Sequence, residues 1–263
     1  HGELYYAILG NTRNRAGRIL LYRSRDLYHW DLVRVMLESD GEDGFMWECP
    51  SMAFFQGKEV LILSPEGRNG IAHSTMYMVG HLDYETGLFT PEQKAVLDQG
   101  TEFYAPLVFP DPERNRTLLM AWMDNWETEK PSQAYGWAGA VTVPRELKLT
   151  EDGRFQMLPV SELDSLHVSS RVWKDVGLKA GECLEEPAAD AYELRLRLDA
   201  EQTDAEELRI VTHQNERGCQ AVLGLNLTTG ELYFDRSRAE EGSRECSRSQ
   251  TGLNRNQISD IRL

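Results

Sequence analysis

Short apolar runs bounded by glycine or charged turns recur along the first 160 residues. Glu3-Leu-Tyr-Tyr-Ala-Ile-Leu9, Glu59-Val-Leu-Ile-Leu63 and Thr117-Leu-Leu-Met-Ala-Trp122 resemble one another, and their starts lie 56 and 58 residues apart. Rich in β-branched and aromatic residues, they predict strands. A second run follows each of them: Arg18 to Tyr22, Thr75 to Val79 and Trp137 to Val141. A third set comprises Trp30 to Leu37, Phe89 to Leu97 and Phe155 to Val160. Cys49 to Phe55 leads the second repeat and Tyr104 to Phe109 the third; the first has no leading run. No long segment carries the 3.6-residue period of an amphipathic helix.

Four strands per repeat, in the same order, describe blades of a β-propeller. Any all-β domain spaces strands this way, but not with one order kept three times. A closed propeller needs at least about four blades. This chain offers two complete blades and one without its innermost strand. An open ring would expose unpaired edges, so the chain is expected to be a fragment lacking its N-terminal blades.

From about residue 165 the pattern changes. Ala191 to Leu198, Glu207 to His213, Gln220 to Leu227 and Glu231 to Asp235 read as strands between Gly and Asn/Asp turns. Leu194, Leu196 and Leu198 alternate with Arg195, Arg197 and Asp199, as on a sheet with one wet face. The expected division is a partial propeller over 1–162 and a truncated β-sandwich over 163–263, cut within Ile258 to Leu263.

Composition narrows the partners. The formal charge of −15 argues against nucleic acid and anionic membrane surfaces. No stretch reaches the roughly 20 apolar residues of a membrane span, and no signal peptide is visible at His1-Gly2-Glu3. Cys49, Cys183, Cys219 and Cys246 fit no zinc spacing and are too few for a disulfide scaffold. Free thiols suit a cytoplasmic protein, although a secretory leader upstream would make it a secreted one. No metal or other cofactor is expected.

Aligning the leading strands sets Pro50 on Pro106, Cys49 on Ala105 and Glu48 on Tyr104. Inner strands begin at one rim of a propeller's channel, so Glu48 and Tyr104 are expected to face a shared pocket. Among Met46, Trp47 and Cys49 a carboxyl is poorly solvated, which favours its neutral form and suits a general acid; the plain alternative is a surface Glu before a strand. Asp98 and Tyr104 are placed to meet ligand hydroxyls, and Trp126, in a loop with Asn125, to stack on a ring. Trp122 is expected in the core. Cys49 is a packed neighbour of the acid rather than a nucleophile, since nothing nearby lowers its pKa.

Met46-Trp47-Glu48-Cys49-Pro50 resembles the Glu-Cys-Pro motif of glycoside hydrolase family 32, the invertase and β-fructofuranosidase family. Leu21 to Trp30, Leu97 to Pro106, Trp122-Met-Asp-Asn-Trp126 and Trp137 to Leu147 resemble its neighbouring segments in order. The resemblance implies a five-bladed propeller followed by a β-sandwich, which can serve as an interface between copies. It implies retaining hydrolysis of terminal β-D-fructofuranosides such as sucrose, sucrose 6-phosphate or fructo-oligosaccharides. Glu48 matches the acid/base, with Cys49, Asp98, Tyr104 and Trp126 as substrate-binding candidates. The family's nucleophilic Asp, in an Asn-Asp-Pro-like motif, has no counterpart here, and neither does its Arg-Asp-Pro motif. Arg25-Asp26 is followed by Leu27 and follows the wrong strand. The isolated chain is therefore expected to be inactive. The alternative is a non-catalytic, carbohydrate-binding propeller relic.

Overall fold

The computed structural model describes residues 2–100, 102–127, 129–151, 153–184, 191–199, 202–212, 214–239, 246–250 and 260–262. Two units emerge, one of 1–98 with 102–168 and one of 99–101 with 169–263. The first ends six residues beyond the expected boundary. The 3-10 turn Ser161–Leu166 belongs to it, because Glu162 is held by Arg116 of that unit.

The first unit holds three antiparallel sheets. The first is β1 (Tyr5–Arg13), β2 (Ala16–Ser24) and β3 (Asp31–Glu38). The second is β4 (Met46–Phe55), β5 (Lys58–Arg68), β6 (Ile71–His73), β7 (Met76–Leu82) and β8 (Phe89–Val96). The third is β9 (Tyr104–Asp111), β10 (Arg116–Met123), β11 (Ala140–Val141), β12 (Arg145–Leu149) and β13 (Phe155–Pro159). Among the described residues the first sheet begins at β1, the counterpart of β5 and β10, whereas β4 and β9 lead the other two sheets, as the repeat predicts. Trp137 to Val141 is a strand only at its last two residues. Pro144 interrupts the run, and Thr142 supplies its side-chain oxygen to the Ala121 N–H where the ladder breaks. The strand resumes as β12, which the sequence pattern did not predict.

Strand alternation explains how the sheets pack. Along β5, Leu61 and Leu63 face the first sheet with Ile19, Leu21 and Met36, while Val60 and Ile62 face the third with Leu119 and Ala121. In β7, Met76 and Met78 join the first cluster, Tyr77 and Val79 the second. A sheet covered on both faces reads as a continuous apolar run, as Val60-Leu-Ile-Leu63 does. Trp47, 1% exposed, enters the first interface and donates its indole N–H to the Asp43 carbonyl at 2.7 Å. Its side chain fills the space above Gly17, where a Cβ would stand 2.4 Å from the ring; a Cβ on Gly10 would stand 2.1 Å from its carbonyl oxygen.

The second unit contains β14 (Arg195–Arg197), β15 (Glu207–Thr212), β16 (Gln220–Asn226), β17 (Glu231–Arg238), β18 (Cys246–Gln250) and β19 (Asp260–Arg262). β15 to β18 form one antiparallel sheet and β14 pairs with β19. The run Ala191 to Leu198 is a strand only at Arg195–Arg197, toward its C-terminal end. Among the described residues no helix is long and apolar enough to cross a membrane.

Trp47→Ala should lower stability by about 3–5 kcal/mol, read as a fall in the urea midpoint, and Gly17→Ala should destabilise through the same contact. At the outer edge, Arg116 bonds Asp111 at 2.8 Å and grips both Glu162 oxygens. These bonds hold Glu162 down from an ordinary 4.5 to about 2. A depressed carboxylate stabilises the fold above its unfolded titration and loses that contribution as pH falls through its folded value. Arg116→Gln should therefore lower the unfolding midpoint at pH 7, and the difference from the parent should vanish below about pH 2.

Candidate active site

Glu48 on β4 and Tyr104 at the head of β9 occupy equivalent places. Each precedes a residue in the left-handed region, Cys49 at φ 44° and Ala105 at φ 49°, and then a proline. Proline has no N–H to give the ladder and restricts the residue before it. Both inner strands accordingly slip register there, between Glu48 and Ser51 and opposite Met120 and Trp122. The bulge re-aims the preceding side chain. Trp47 points toward the first sheet and Glu48 toward the third.

The Tyr104 hydroxyl donates to Glu48 Oε2 at 2.7 Å. Tyr104 is 2% exposed and Glu48 half-buried. Burial first, then the bond to Glu48 and the charges of Glu48 and Glu66, push the phenol far up, so it stays a neutral donor. Below it, the buried Ser64 Oγ accepts the Ala105 N–H at 3.0 Å, and Thr75 Oγ1 donates to the Phe103 carbonyl at 2.9 Å. These two hydroxyls of the second sheet pin the start of β9. Cys49 is exposed, and burial of its sulfur followed by the Glu48 charge raises its thiol; it remains a poor nucleophile.

Trp126 joins the pair through aromatic contacts. Its ring stands 5.5 Å from Tyr104, 4.8 Å from His73 and 4.7 Å from Trp122. Trp122 is half-buried and part of this wall, not the core residue expected. His73, at the end of β6, packs edge-on to Tyr104 at 5.1 Å and bonds Glu127 Oε1 through Nε2 at 2.6 Å. Lys130 bridges Glu102 at 2.7 Å and the buried Asp124 at 3.1 Å, and Asn125 donates to Glu102 at 2.9 Å. Burial works against the Lys130 charge, but these carboxylates outweigh it and raise the group overall.

The structure thus brings Glu48, Cys49, Tyr104 and Trp126 together. Asp98 is engaged elsewhere: Arg145 of β12 bonds it at 2.8 Å and lies over Phe103. Asp26 is absorbed by its own turn, accepting the N–H groups of Tyr28 and His29 at 2.9 and 2.8 Å. His73, Glu66 and Glu127 were not anticipated. Asn69-Gly70, both at positive φ, is a hairpin signal that leads directly into β6 and could have pointed to His73.

A model of the glycosyl hydrolases family 32 N-terminal domain matches residues 1–159. The chain belongs to glycosyl hydrolase family 32. A sucrose-6-phosphate hydrolase of Zymomonas mobilis is 32% identical over 88% of this chain and 47% of its own length. One from Escherichia coli is 34% identical over 75% of this chain and 41% of its own, and an Escherichia coli raffinose invertase is 34% identical over 63% and 36%. The chain spans about half the length of the curated relatives it matches. The Bombyx mori family 32 β-fructofuranosidase, solved as a mutant with sucrose, matches at a TM-score of 0.77 and 26% identity, covering 95% of this chain and 52% of that one. The three sheets of the first unit are blades of the family's β-propeller.

Tyr104→Phe removes the hydrogen bond from the buried hydroxyl to Glu48 and should lower stability by about 1 kcal/mol, measured by urea unfolding.

Proposed function

We propose that the protein containing this family 32 chain hydrolyses terminal β-D-fructofuranosides with retention, and that Glu48 is its acid/base. The observation that supports this reading best is the Tyr104 bond to Glu48 Oε2 across two matching proline bulges. It presents a half-buried carboxyl at the rim with one oxygen already occupied. The proton is then carried on Oε1. In the first step a carboxylate from outside these residues attacks the anomeric carbon of fructose. Glu48 gives its proton to the glycosidic oxygen as the C–O bond breaks, and the leaving sugar departs as an alcohol. In the second step Glu48 takes a proton from water, whose oxygen attacks the fructosyl-enzyme carbon and releases the first carboxylate.

Such chemistry needs two carboxyl groups roughly 5 Å apart. The sequence carries neither an Asn-Asp-Pro-like nor an Arg-Asp-Pro motif, so residues 1–263 alone are read as inactive. Conversely, a full-length protein with both motifs should release fructose from sucrose. There, Glu48→Gln should lower kcat by about 10²–10⁴-fold, with a smaller loss on fructosides whose leaving group needs no proton. An unchanged rate, or an equal loss on both kinds of substrate, removes Glu48 from this role. Turnover by residues 1–263 alone would contradict the need for a second carboxylate.

A further inference from the structure

Two hydroxyls interrupt apolar runs at one level of the second sheet. Val60 to Leu63 of β5 are fully buried and apolar, and the next residue, Ser64, is fully buried and polar. Thr75, also buried, stands directly before the buried run Met76 to Val79 of β7. Leu63 pairs with Met76, so Ser64 and Thr75 lie one step beyond that pair, and on its other side Ser64 pairs with Glu48. Buried polar groups cost stability unless bonded. Alanine and valine would fill the same level with no polar atom to satisfy, so packing alone does not account for two hydroxyls here.

Their bonds converge on Tyr104. Thr75 Oγ1 donates to the Phe103 carbonyl at 2.9 Å, and Ser64 Oγ accepts the Ala105 N–H at 3.0 Å. These are the backbone groups on either side of Tyr104. With the Thr75 proton on Phe103, the 3.4 Å contact between the hydroxyls is made by the Ser64 proton on Thr75 Oγ1, which sets the direction of the whole chain of bonds. The Ser64 carbonyl lies 3.5 Å from the Tyr104 hydroxyl and Glu48 Oε2 only 2.7 Å, so the single phenolic proton goes to Glu48. Ser64 thus meets both members of the pair: Glu48 as its partner in the ladder, Tyr104 through the N–H of the next residue.

Orientation matters at this carboxyl. A protonated carboxyl is a donor at one oxygen only. The Tyr104 bond occupies Oε2 and leaves the proton to Oε1. When Tyr104 drifts from Oε2, the proton is shared between two oxygens and the carboxyl turns more freely about its last bond. A misplacement of about 1 Å caused away from the reacting atoms can cost about 10²-fold in rate.

We propose that Ser64 and Thr75 are positioning residues for proton transfer: by holding the backbone on both sides of Tyr104, they keep its hydroxyl on Glu48 Oε2 and the acid proton on the oxygen that serves the leaving group. This rests on the reading of Glu48 as the proton donor.

The test uses a full-length protein containing this chain and two substrates. The leaving group of sucrose needs a proton, whereas the nitrophenolate of p-nitrophenyl β-D-fructofuranoside leaves without one. For each, kcat/KM reports the first, fructosyl-forming step. Ser64→Ala and Thr75→Val should each lower the sucrose-to-nitrophenyl ratio of kcat/KM by about 10-fold or more. Thr75→Ser keeps the hydroxyl and should restore the ratio. Ser64→Ala and Thr75→Val together should lose little more than either alone, because the same chain of bonds is broken each time. A ratio does not depend on how much of the protein is folded, so a destabilised variant still answers. A ratio unmoved by Ser64→Ala and Thr75→Val, or not restored by Thr75→Ser, overturns the proposal. Glu48→Gln separates the two readings. If it lowers the ratio while the hydroxyl variants do not, Glu48 remains the donor and the positioning role falls; if it leaves the ratio unchanged, both fall.

Discussion

The site depends on one steric constraint, the seat of Trp47 between the first two blades. Glycine at 10 and 17 leaves room for the indole and its backbone, and the Asp43 carbonyl takes the indole N–H. Because side chains alternate along a strand, burying Trp47 against β1 and β2 turns Glu48 toward the third blade. A shift of one residue would bury the carboxylate and expose the indole, so the hydrophobic effect sets the register that aims the Glu48 carboxyl. The same alternation runs through β5 and β7, whose residues divide between two apolar clusters. The middle blade is thereby clamped on both faces, and Glu48 rides on its innermost strand.

The proline bulges are the second device, and their strain is offset locally. A non-glycine residue at positive φ costs of order 1–3 kcal/mol, and this stretch spends it at both Cys49 and Ala105. The Ala105 N–H freed from the ladder is taken by Ser64 Oγ inside the protein. Buried hydroxyls of this kind stabilise only when fully satisfied, and the set of Ser64, Thr75 and Tyr104 has partners for each oxygen. Tyr104 then serves as a fixed, uncharged donor, because burial beside carboxylates keeps its proton in place.

Much of this was legible in the sequence because its causes are local. Strand-forming runs at a constant period declared the blades, the missing lead before β1 showed in the count, and Pro50 and Pro106 aligned Glu48 with Tyr104. What stayed hidden depends on contacts between distant segments. The His73 bond to Glu127 spans 54 residues and crosses from the second blade to the third; no spacing rule announces it. Asp98 was weighed for its position at a blade's start, but its partner Arg145 lies 47 residues on, beyond an interrupted strand. Trp122 reads as core from its apolar run, yet it is the last but one residue of β10, where the strand leaves the core and its ring meets Trp126. β12 was missed because Pro144 hides the continuity of a strand that resumes one residue later.

The ion pairs around Lys130 show why the rim holds its shape. Buried ion pairs contribute little net stability, since desolvation consumes most of the attraction. Their effect here is positional. Asp124 follows the end of β10, and Trp126 comes two residues later among described residues that form no strand or helix. Lys130 ties the far side of that segment back to Asp124 and to Glu102, which also accepts the Asn125 amide. Apolar substitutes could preserve the packing but not the direction of approach, which charged forks and amides impose. Trp126 can therefore be both solvent-exposed and fixed in place, and an aromatic ring needs both to serve as a surface beside the Tyr104 and Glu48 pair.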